Sequence, residues 1–104
     1  MRGQIPEDVA DERAQRYIEV MSGLAGRDIL SRSRQFEAVW GRYIVAYQLR
    51  SEGMVLMRIG RLLKKDHSTV FFGISQVTNM LEMPKLYEKE YAIWKQFQKQ
   101  IKDE

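Results

Sequence analysis

The sequence predicts an all-α fold: a small helical domain carrying a helix-turn-helix, followed by an extra amphipathic C-terminal helix. Three observations lead there. Apolar residues recur at steps of three and four along most of the 104 residues, which is the period of an amphipathic helix. No segment sustains a two-residue alternation, and no Asn-Gly or Asp-Gly hairpin turn occurs. The two prolines, Pro6 and Pro84, both stand where a helix can begin.

The first helix is expected from about Glu7 to Gly23. Glu7, Asp8, Asp11 and Glu12 load its N-terminal turns with the negative charge that the helix dipole favours. Val9, Tyr17, Val20, Met21 and Leu24 share a face, and Gly23 and Gly26 break the pattern. A short turn of helix and a basic loop are expected over residues 27–34. A second helix follows from about Gln35 to Ser51, with Phe36, Val39, Tyr43 or Ile44, and Tyr47 at helical spacing. After Gly53 a short third helix covers Val55 to Leu63, with Ile59, Leu62 and Leu63 apolar. Lys64-Lys65 makes a tight connection, Asp66 is a good N-cap, and a fourth helix runs to about Leu81. Within it Val70, Ile74, Val77 and Leu81 form the expected buried stripe. The last helix is expected from near Pro84 to Lys102.

One domain is the natural reading of this length, and 44% hydrophobic residues suit a folded chain. No run approaches the roughly 18 apolar residues of a membrane helix, and the N-terminus has no apolar stretch of signal-peptide type. A cytoplasmic protein is expected. The chain has no cysteine, which excludes disulfides and thiolate metal sites. Charge is unevenly spread. Residues 27–65 hold nine basic and three acidic side chains, a net +6, whereas the whole chain carries +3 and the remainder therefore −3. A basic middle between acidic flanks fits a phosphate-binding face and equally a solvated surface.

The helices on either side of Lys64-Lys65 read as a helix-turn-helix. A tight turn fixes the angle between them, so the second can enter a DNA major groove N-terminus first. Its opening turn carries unpaired N–H groups and offers His67, Ser68 and Thr69, which are short, hydrogen-bonding side chains. Thr69 adds a methyl group suited to a thymine methyl. By pattern alone, Asp66 followed by Thr69 is also what an ordinary capped helix looks like.

Beyond pattern, Asp28-Ile29-Leu30-Ser31-Arg32-Ser33-Arg34, Arg42, Ile59-Gly60 and Lys65-Asp66-His67-Ser68-Thr69-Val70 occur in one order. Together they resemble the C-terminal DNA-binding domain (domain IV) of the bacterial chromosomal replication initiator DnaA, over about residues 14–81. The resemblance implies a Trp-repressor-like helix-turn-helix that binds double-stranded DNA in replication initiation or its regulation, or in transcription control. It implies that His67, Ser68 and Thr69 face the major groove, with Asp66 as a cap and indirect base contact. Lys65 would read or grip DNA, Arg34 would enter the adjacent minor groove, and Arg42 would lie on the DNA side. Arg32 and Lys64 would then be phosphate contacts. This sequence departs from the family in three places. Tyr43 stands where a Gln is common, the family's Gly-Gly before the basic residue is the single Lys64, and Phe36 to Gly41 is less basic and contains Trp40. No Gly-x-x-x-x-Gly-Lys-Ser/Thr occurs, so a nucleotide-switched initiator acting alone is not expected.

The division expected is a DNA-binding domain over 1–83 and an aromatic-striped helix over 84–104. Tyr87, Tyr91, Trp94, Phe97 and Ile101 fall on one helical face. Such a stripe either packs back on the domain or serves a protein partner or self-association. No catalytic constellation emerges: His67 is the sole histidine, and Glu88 and Glu90 point to different sides of a helix. Neither an enzyme, a metal site nor a cofactor is expected. The reading from a different class is a protein-interaction module that retains the fold without reading DNA.

Overall fold

The structure, a computed structural model, describes residues 7–102. Met1–Pro6 lie outside the described residues, as do the side chains of the expected acidic pair Glu7 and Asp8. The chain forms α1 (Glu7–Ala25), α2 (Phe36–Ser51), α3 (Leu56–Leu63), α4 (His67–Glu82), a 3-10 turn (Pro84–Leu86) and α5 (Glu88–Lys102). Among the described residues there is no strand, and no helix is long and apolar enough to cross a membrane.

α2 is the central element and packs against all four other α-helices. Eight of its sixteen residues are buried: Ala38, Trp40, Gly41, Arg42, Ile44, Val45, Ala46 and Leu49. They surround the helix rather than lining one stripe, as a helix enclosed by neighbours requires. Of the expected face, Phe36, Val39, Tyr43 and Tyr47 form the helix's half-buried edge, and Ile44, the alternative to Tyr43, is fully buried. α1 brings Ala14, Tyr17, Ile18 and Met21 to this core, and α4 brings Val70, Val77 and Met80.

Boundaries and faces differ from expectation in five places. α1 continues through Gly23 and ends at Ala25, just before Gly26, whose φ of 73° takes the chain into the left-handed region. Val9, in the first turn of α1, is 37% exposed. Residues 27–34 form turns without a helical segment. The buried line of α4 is Val70, Gly73, Val77 and Met80, while Ile74 and Leu81 are half-buried beside it. Pro84 opens only the 3-10 turn, and α5 begins at Glu88, four residues later than expected.

Gly73 explains the rotation of α4. A Cβ there would lie 2.4 Å from Cδ1 of Tyr43, so only glycine admits that ring between α2 and α4. Tyr43 is then wedged in an edge-to-face row, with centroids 6.0 Å from Phe72 and 5.4 Å from Trp40. Trp40 reaches Tyr87 beyond the 3-10 turn at 6.0 Å.

α5 lies chiefly on α1 and also meets α2 and α4. Phe97 is fully buried, edge-on to Tyr17 at 5.7 Å, and Tyr47 meets Trp94 at 5.5 Å. Tyr87, Tyr91, Trp94 and Ile101 are half-buried against the same core. The stripe therefore packs inward, and Phe97 has no surface to offer a partner. Tyr17 carries a second tie. Its hydroxyl donates to Glu52 just past α2, a carboxylate that also accepts from Gln48 at 2.7 Å.

Two predictions follow from this packing. Phe97→Ala empties a closed site and lowers stability by about 3–5 kcal/mol, read from the urea midpoint. Burial, reinforced by the hydrogen bond to Glu52, pushes the Tyr17 phenol up to about 12 from 10.0. The neutral phenol is the form the fold favours. Its contribution is therefore intact below pH 10 and fades as pH rises from 10 toward 12. Melting temperatures between pH 8 and 12 should fall more steeply for the wild type than for Tyr17→Phe.

Candidate functional site

The segment between α1 and α2 is irregular in backbone but closely tied. Ser22 Oγ accepts from the Ile29 amide at 3.1 Å, and Asp28 Oδ1 from that of Leu30 at 2.9 Å. Ser31 Oγ accepts from the Ser33 amide at 3.3 Å, and Ser33 Oγ from that of Gln35 at 3.1 Å. These are the local side-chain turns that Asp and Ser favour outside helices. The carbonyls turn the other way, toward Arg42. Its guanidinium donates to Ile29 O at 2.8 Å, Ser31 O at 3.2 Å and Ser33 O at 2.9 Å. Arg42 is 8% exposed, and its burial lowers its pKa from the usual arginine value. The sequence reading placed Arg42 directly on a DNA face. Its fork is instead spent on the loop, so its part in the site is to shape the segment that turns Arg32 and Arg34 outward. Both of those arginines are exposed.

The other side of the site is the α3–α4 corner. Lys64 has φ 61° and ψ 41°, the only positive φ at a non-glycine among the described residues. The Lys65 amide donates to Gly60 O at 2.9 Å and the Lys64 amide to Arg61 O at 3.4 Å. This is a Schellman cap with lysine at the position glycine usually takes. Gly60 permits the corner, since a Cβ there would lie 2.5 Å from Lys65 O. Asp66 then caps α4. Its Oδ1 accepts from the Thr69 amide at 2.8 Å, and that bond holds the carboxyl below its ordinary pKa.

The fold brings these two regions together. Arg32 and Arg34 from the loop and Lys64 and Lys65 from the corner line one cleft of about 600 Å³, with Arg42 at its base and Thr69 at its edge. No acidic residue lines it, and none of the four outer cations pairs with an acidic side chain among the described residues. Asp66, His67 and Ser68 do not line the cleft, but all three are exposed at the start of α4 beside it. All nine residues singled out from sequence therefore cluster in one region, eight on its surface and Arg42 beneath.

Two features escaped the sequence reading. Ser31 and Ser33 build the loop, and nothing in helical periodicity reveals that. Phe71 and Phe72 are 61% and 54% exposed on α4, next to the polar turn. Their signal was present, because both fall off the buried line of that helix. No known protein family, curated protein or solved structure matches the chain.

The site's dependence on Arg42 can be measured. Arg42→Ala leaves three loop carbonyls without their charged donor and should cost about 2–3 kcal/mol. Arg42→Lys should recover only part of this, because an ammonium cannot span three carbonyls with a planar fork. Hydrogen exchange of the amides of residues 29–35 should accelerate in both variants. Unchanged protection there would remove Arg42 from its role as the organiser of the loop.

Proposed function

We propose that this face binds double-stranded DNA, with the α3–α4 pair acting as a helix-turn-helix and α4 entering the major groove. The observation that supports it best is the convergence of Arg32 and Arg34 with Lys64 and Lys65, uncompensated, beside an exposed helix start. A cation cluster beside such a start suits a duplex, whose phosphate strands border the groove that the helix reads. Lys64 and Arg32 hold phosphates, Lys65 grips at the groove edge, and Arg34 reaches the neighbouring minor groove. His67, Ser68 and Thr69 face base edges. Asp66, while capping α4, keeps a carboxylate oxygen that can accept from a base amine. Phe71 extends this surface with apolar area suited to a thymine methyl. The similarity of these residues to the C-terminal domain of the initiator DnaA points to replication initiation or its control, or to transcription control.

Phe71 and Phe72 favour a second reading, a protein-interaction module on the same fold, since adjacent exposed aromatic rings also suit a protein interface. Duplex selection from a random pool, followed by fluorescence anisotropy, separates the two. On a selected site, Thr69→Ala or His67→Ala should narrow the gap between specific and random duplex by about 1–3 kcal/mol. Lys64→Gly should weaken every duplex alike and reduce the slope of log K against log salt by about 1. The same variant relieves the left-handed lysine, so it should bind less while unfolding no more readily. No retention on duplex at low salt, or an equal loss on all sequences for Thr69→Ala, would overturn the base-reading proposal.

A further inference from the structure

The cleft lining carries more than a grip on DNA phosphates requires. Phosphate contacts need only cations and hydrogen-bond donors. Here the four outer cations surround a concavity of about 600 Å³, within the range of small-molecule sites. Its walls include Leu30, Val39 and the ring of Tyr43, all half-buried. Ser33 and Thr69 also line it. The lining therefore combines cations without an acidic counterpart, apolar and aromatic residues, and two hydroxyl-bearing residues. A phosphate alone satisfies only the first part, and an apolar ligand only the second. A nucleoside phosphate has all three components: an anion, a sugar bearing hydroxyls and a flat ring system.

We propose that this cleft seats a single nucleotide, either free or unpaired at the end of a strand. The phosphate lies among Arg34, Lys64 and Lys65, and the base lies along Leu30, Val39 and Tyr43. The seat shares its cations with the DNA-binding face proposed above and rests on that reading only for its consequence, that a free nucleotide and duplex compete. Arg42 supports the seat from beneath, with three of its five N–H donors engaged by the loop.

The probes are adenosine 5′-monophosphate, ribose 5-phosphate and inorganic phosphate, each titrated into the full chain and followed by amide chemical shifts. Adenosine monophosphate should bind at least ten-fold more tightly than the other two. Its shifts should centre on Ser33, Arg34, Lys65 and Thr69. Arg34→Ala, at an exposed position, should weaken it about ten-fold, and Val39→Asp should abolish it. Equal affinity for the three probes, or shifts centred elsewhere, would overturn the seat. A blunt duplex and one with an unpaired 5′-phosphorylated adenosine distinguish the two sources. Tighter binding of the overhang duplex, reversed by the mononucleotide, assigns the seat to strand ends, and equal binding of the two duplexes assigns it to the free nucleotide. Duplex binding is measured on the same preparations. Nucleotide binding without duplex binding would refute the DNA reading alone, and duplex binding without nucleotide binding would refute the seat alone.

Discussion

The arrangement depends on one buried cation. Arg42 sits on the central helix and donates to three carbonyls of a segment otherwise held by the buried Ile29 side chain and a few turn hydrogen bonds. A backbone without helix or sheet still has to satisfy its polar groups, and buried carbonyls left alone cost about 1–3 kcal/mol each. A charged fork answers several of them at once. Burying that charge is itself expensive, and the oriented carbonyl dipoles are what make it tolerable. The two requirements meet in one place. The same geometry turns Arg32 and Arg34 away from the core, so a buried contact dictates where the surface charges stand.

The opposite bank of the cleft is built against a local preference. A left-handed residue with a side chain costs about 1–2 kcal/mol, and Lys64 bears that cost. The two capping bonds from Lys64 and Lys65, at roughly 1 kcal/mol each, offset it. Gly60, one turn earlier, removes the steric obstacle that any other residue would place against Lys65 O. The result is a sharp corner that carries a cation where glycine would be less strained. Arg42 and Lys64 thus reach the same end by different means, a buried hydrogen-bond fork on one side and a strained backbone on the other.

Much of this was legible in the sequence, for identifiable reasons. The helices announced themselves by period, and Asp66 marked the start of α4 by its type and position. The cluster of basic residues around that start was readable because its members lie in two short, strongly biased stretches. What stayed hidden depended on tertiary space. The burial of Arg42 needs the loop's return path, which no pattern encodes. The turn of α4 about its axis is decided by Tyr43 entering beside Gly73, a contact thirty residues apart in sequence. The extra turn before α5 reflects Met83 and Tyr87, both outside helical φ and ψ, on either side of Pro84–Leu86. The length of the connection to α5 could not be read from proline alone.

The exposed surface of α4 explains how attraction and discrimination can be divided on this molecule. Stepping 100° per residue from the buried line of Val70, Gly73, Val77 and Met80, the opposite arc falls on Ser68, Phe71, Phe72 and Ser75. Thr69 flanks that arc on the side of the cleft and His67 flanks it on the other. From Ser68 to Leu81 the helix holds no lysine, arginine, aspartate or glutamate, and its acidic residue, Glu82, is the last. Long-range attraction for an anion therefore comes from cations outside α4, those of the cleft among them, while α4 contributes hydrogen bonds, methyl groups and aromatic area that act only at contact. On the proposed reading, salt would govern how often duplex arrives and α4 would govern which sequence stays. A helix with its own lysines would blur that separation, because each would add the same attraction to every sequence.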